Sequence, residues 1–167
     1  MHVSFDLLPN HSRIWIYQAD RKITSSEKNI ISSELTSFTE QWLVHGQPMK
    51  ASFKLFFDQF VVLTADEDYN AASGCSIDGS VRVLKTIGLQ CGLDFFNRNL
   101  VAFKKDDQIA ISPVSSVKRK YEEGFWDEET STFNNVIAKK EELETAWILP
   151  ARKTWLRRYL PFETAKP

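Results

Sequence analysis

Apolar residues along the chain follow two rhythms, and the points where one gives way to the other outline its elements. Trp15, Tyr17 and the β-branched Ile14 and Ile16 form a short run between polar stretches at 10–12 and 19–21, which predicts a first strand. Thr24 followed by Glu27 is a capping box, and Ile31, Leu35, Phe38 and Trp42 then recur at spacings of four, three and four, predicting a helix over 25–44. His45-Gly46-Gln47-Pro48 stops it, since Gly suits the left-handed position and Pro cannot continue a helix. The runs at 53–57 and 60–64, separated by Asp58-Gln59, predict a β-hairpin. Ser76 is the expected cap of a second helix over 77–91, with Ile77, Val81, Leu84, Gly88 and Cys91 on one face and Gly92 at its end. Runs at 100–103 and 108–111 predict a second hairpin, and Pro113 opens a short third helix over 113–123.

Read in order, the first 103 residues are β-α-β-β-α-β. The expected fold is therefore α+β, a ferredoxin-like sandwich over 1–112, with residues 113–167 an extension packed on it in the same single domain. A strand over 133–137 and a closing helix over 150–160 are expected in that extension. Trp42 and Trp15 are expected in the core. Strand alternation sets a condition: if Ile14 and Ile16 face the helices, Trp15 and Tyr17 face away and need cover from the extension.

Composition adds exclusions. With 43% hydrophobic and 26% charged residues among 167, the chain is that of an ordinary globular domain, not a disordered or fibrous one. Basic and acidic residues number 21 and 22 and neither half is a basic arm, so no nucleic-acid partner is expected. Two cysteines, Cys75 and Cys91, are too few for a disulfide framework, and no C-x-x-C ligand pattern occurs, so no metal or cofactor is expected. The start of the chain has neither a basic nor an apolar leader region, and no run approaches the ~18 apolar residues of a membrane span. A cytoplasmic protein is the expectation.

Trp15-Ile16-Tyr17-Gln18 and Ser73-Gly74-Cys75-Ser76-Ile77-Asp78, with Lys50-Ala51-Ser52-Phe53 and Trp155, resemble a family of short, uncharacterised bacterial proteins whose members are often labelled "ABC transporter ATPase". Such an ATPase needs G-x-x-x-x-G-K-[ST] to wrap backbone N–H groups around phosphates and set a lysine against them. Here Gly74 and Gly79 have the spacing, but Ser80 stands in the lysine position. Neither specific ATP binding nor ATP hydrolysis is expected.

The 73–78 loop is the first candidate site. A small-residue turn entering a helix offers unpaired N–H groups and a positive dipole end to an anion, and lowers the pKa of a neighbouring thiol. Ser and Asp are equally ordinary capping residues there, and unpaired Cys is commonly buried. In the ferredoxin-like topology, the loop shares one sheet edge with His11, Arg13, His45, Lys104 and Lys105. The residues expected to bind are Ser73, Gly74, Ser76, Asp78, Arg13 and His11, toward a small anionic ligand or a protein partner. The alternative is a cysteine-dependent enzyme with Cys75 as nucleophile and His45 or His11 as base. Cys91, on the apolar face, should be inert. The basic and aromatic residues at 152–159 are expected to dock on the body, and the acidic runs at 122–123, 127–129 and 141–142 to be solvated.

Overall fold

The computed structural model describes residues 1–68 and 71–161, the side chain of Cys75 excepted. Its first half runs β1 (Arg13–Gln18), α1 (Ser25–Gln41), β2 (Leu43–Val44), β3 (Gln47–Pro48), β4 (Ala51–Phe56), β5 (Phe60–Ala65) and α2 (Gly74–Cys91). The second half adds β6 (Leu100–Lys105), β7 (Gln108–Pro113), α3 (Val117–Glu122), β8 (Ser131–Phe133), α4 (Glu142–Thr145) and β9 (Ile148–Pro150).

The plan of the molecule follows from β5. A strand with one wet face alternates apolar and polar residues, whereas Phe60-Val61-Val62-Leu63-Thr64-Ala65 is buried at every position. It is the middle strand of an antiparallel sheet ordered β1-β5-β4, covered on both sides. On one side α1 and α2 lay Ile31, Leu35, Leu84 and Ile87 over Val61 and Leu63. On the other, Phe60 and Val62 meet Ala102 of a second antiparallel sheet, ordered β7-β6-β8-β9, and Ile137 and Trp147 from the connection between β8 and β9. The outer face of that sheet is closed by Val117, Trp126 and Leu156 over Val101 and Phe103.

The fold is thus α+β, and its first three strands take the neighbour order of a ferredoxin-like sandwich. The fourth does not. β6 would belong on the free edge of β1, and it pairs instead with β7 and β8. The physical reason lies in β5: its second apolar face needs a cover layer, and β6 supplies part of that layer in place of a fourth strand. The second sheet draws β6 and β7 from before the expected 112/113 division and β8 and β9 from after it.

Several local expectations shift. Trp15 and Tyr17 face the helices, while Ile14 and Ile16 face the second sheet, the reverse of the arrangement posed above. The capping box forms, with the Glu27 N–H donating to Thr24 Oγ1 at 3.3 Å and the Thr24 N–H to Glu27 Oε2 at 2.8 Å. α1 ends at Gln41, because Trp42 turns extended (φ −69°, ψ 116°) and the next residues form a two-strand hairpin about His45 and Gly46, at φ 50° and 77°. Trp42 is buried in a cluster with Val44, Met49, Ala51 and Ala65, beside the main core. α2 is capped by Ser73 and not by Ser76: Ser73 is extended and its Oγ accepts the Ser76 N–H. Its other end is Gly92 at φ 65°, as expected. A 3₁₀ turn at Val114–Ser116 leads into α3, and the closing helix is instead β9 followed by 3₁₀ turns at Ala151–Lys153 and Trp155–Tyr159. Among the described residues, no helix is long and apolar enough to cross a membrane.

Candidate functional site

The residues read from the sequence sit mainly at the end of the first sheet where Arg13 pairs with Ala65. There the cations meet carboxylates. His11 Nε2 lies 2.8 Å from Asp68 Oδ1, and Arg13 Nη1 donates to Glu67 Oε1 at 3.4 Å, which also accepts the Ala72 N–H. Buried Asp66 accepts the Asp68 N–H, and ligand atoms of His11, Asp66 and Asp68 lie within 4.8 Å of one another, a histidine–aspartate grouping the sequence reading missed. The α2 start is equally occupied with its own structure. Ser76 Oγ donates to the Ser73 carbonyl at 2.8 Å, and the indole of Trp42 donates to the Ser76 carbonyl at 3.0 Å. Gly74 and Asp78 are exposed. The Cys75 side chain lies outside the described residues; its backbone is inside the first turn of α2, not ahead of it.

His45 is the first turn residue of the β2–β3 hairpin and exposed, a position its backbone accounts for. Lys104 and Lys105 are not at this edge. Lys104 Nζ stands 5.9 Å from the centre of the Phe57 ring, in the β4–β5 turn at the opposite end of the sheet, and Lys105 lies over Phe125. Both went with β6 into the second sheet.

That rerouting opens a different site. β1 is an edge strand. Its first half is covered, since the Ile14 N–H donates to the Ala138 carbonyl at 2.9 Å and Arg13 bridges Lys139. Its second half, Ile16 to Gln18, borders a cleft of about 1340 Å³ whose far wall is Leu100–Ala102 of β6, so the cleft occupies the slot a fourth strand would have filled. Around it stand Lys85 of α2, Arg98, and Lys153 and Arg157 of the closing turns, and no aspartate or glutamate lines it. Among the described residues, none of these four cations has a carboxylate partner. The neighbouring cations Arg152 and Arg119, by contrast, pair with Glu129 and Glu123.

The wall is held by a chain of fixed amides: Trp147 Nε1 donates to Asn135 Oδ1 at 2.9 Å, Asn135 Nδ2 to Gln18 Oε1 at 3.1 Å, and Gln18 Nε2 to the Leu100 carbonyl at 3.4 Å. Phe96 and Trp155 also line the cleft, with Lys85 Nζ 5.7 Å from the centre of the Phe96 ring and the Arg158 guanidinium 5.6 Å from that of Trp155, which is 44% exposed. Of the 152–159 stretch only part docks as expected: Leu156 is buried, while Lys153, Trp155 and Arg157 turn to the cleft. Tyr17, at the back, donates to or accepts from Ser80 at 3.3 Å, and burial pushes its phenol above the usual range, so it stays neutral. The readable signal was the basic and aromatic interleaving of 152–159; Lys85 and Arg98 carried none, because only the fold brings them there. No family model, curated protein or solved structure matches the chain.

Proposed function

We propose that the protein is a binding module for a small anionic ligand, and that the ligand sits in the cleft beside β1 and not at the start of α2. The observation that carries this is the imbalance of charge. Lys85, Arg98, Lys153 and Arg157 converge on one concavity that contains no carboxylate, in a chain whose net charge is only −1. Each of these cations is exposed, and a single exposed pair contributes only about 0.2–1 kcal/mol, so an anion needs several of them at once. At the sheet end, by contrast, His11 and Arg13 already have anions of the protein's own.

The lining holds no carboxylate to carry Mg²⁺, and the 74–79 stretch lacks the phosphate-binding lysine, so the reading is of binding without ATP hydrolysis. Calorimetric titration with inorganic pyrophosphate tests it. Binding that is lost in the double variant Arg98→Glu/Arg157→Glu and kept in Ser73→Ala is the expected result. Binding kept in the charge-reversed protein and lost in Ser73→Ala would return the site to the α2 start.

A further inference from the structure

The unpaired edge of β1 says what else the ligand carries. Along a strand, successive residues turn their N–H and C=O groups to opposite sides. Ile14 donates outward to Ala138, and Ala19, of the other parity, donates inward to the Gln59 carbonyl. Ile16 therefore presents its N–H and C=O toward the cleft it lines, and among the described residues neither has a partner there. A buried or half-buried backbone donor and acceptor left unpaired is unfavourable, and this pair is side by side. It matches a ligand edge with a donor and an acceptor in the same plane, as the amide-like edge of a heteroaromatic ring provides.

Resting on the anion reading above, we infer that the ligand is a heteroaromatic ring carrying a phosphate, of the size of a nucleoside monophosphate. Its ring meets the Ile16 edge beside the aromatic lining residues Phe96 and Trp155, and its phosphate lies among Arg98, Lys153 and Arg157. The volume, about 1340 Å³, exceeds that of typical small-molecule sites, roughly 300–1,000 Å³, and accommodates such a ligand with room to spare. The absence of lining carboxylates favours a metal-free monophosphate over a metal-chelated triphosphate. An added peptide strand is the competing occupant of any free strand edge, but this edge is short, Ile16 to Gln18: the 138–139 segment occupies it at Ile14, and the Gln18 side chain crosses toward Leu100 at its other end.

The test compares adenosine 5′-monophosphate, guanosine 5′-monophosphate, ribose 5-phosphate and an acidic hexapeptide by Trp fluorescence and by amide exchange at Ile16. The expected result is that a nucleotide binds about tenfold or more tightly than ribose 5-phosphate, the contribution one stacked base makes. It also slows exchange of the Ile16 amide, and it loses that advantage in Trp155→Leu, whose exposed side chain can be changed without touching the core. Equal binding of ribose 5-phosphate and both nucleotides would overturn the ring while leaving the anion reading intact. Tighter binding of the peptide would overturn it in favour of strand addition. Failure of every phosphate, with pyrophosphate also inert, would remove both readings together.

Discussion

At the scale of single residues, the backbone explains several side chains that looked functional. His45 occupies the first position of a two-residue turn with φ 50°, followed by Gly46 at 77°, the signs a type I′ turn requires. Asn is the residue best suited to that position, so His45→Asn should raise stability by about 0.5–1 kcal/mol in urea denaturation, with no loss of ligand binding. Glu27 is an ionisable group strongly altered by folding. The Arg21 guanidinium and the Thr24 N–H hold its carboxyl down to about 2, so its charged form favours the folded state above the ordinary carboxylate range and that contribution fades as pH falls through it toward 2. Glu27→Gln should therefore lower stability at pH 7 and flatten the stability–pH curve between about pH 4.5 and 2. The Cys91 thiol is half-buried and pushed up by burial and by Glu27, so alkylation at pH 7 should leave it unmodified, with labelling rising only at alkaline pH.

Elements show where the sequence is legible. The boundaries of α1 and α2 could be read to within a few residues because caps are local: Thr24 with Glu27, and Gly92, act within one turn. Both hairpins are local too, although the first turn is centred on Phe57 and Asp58, both at positive φ, and not on Asp58-Gln59. What could not be read is which sheet a strand joins. β6 is an ordinary apolar run, and nothing in its own residues distinguishes an edge beside β1 from the middle of a second sheet. The available hint was the unbroken burial-type run of β5, which demands cover on two faces. The candidate site suffered for the same reason, since the edge-sharing of His11 with Lys104 and Lys105 depended on β6. Trp147 tests the two-sheet packing. It is buried among Phe56, Phe57, Phe60 and Phe133, with ring centres 5.2–5.9 Å away. Trp147→Ala should cost about 3–5 kcal/mol by denaturant unfolding, as for a tryptophan at the centre of a core; a cost near zero would mean that the residues after 113 are a dispensable cover.

On the scale of the whole molecule, one departure from the expected topology connects fold to site. Sending β6 to the second sheet covers β5, leaves half of β1 unpaired, and opens a cleft there that Lys85, Arg98, Lys153 and Arg157 approach from α2, the following loop and the closing turns. Residues far apart in sequence thus form a concavity lined by cations and by no carboxylate. Amide cross-peaks of the ¹⁵N-labelled protein followed during titration with inorganic pyrophosphate test this most directly. Saturable shifts are expected at Ile16, Gln18, Arg98, Asn135 and the Trp155 indole, with the 73–78 amides unmoved; shifts confined to residues 73–78, or none at all, would overturn the cleft as the binding site.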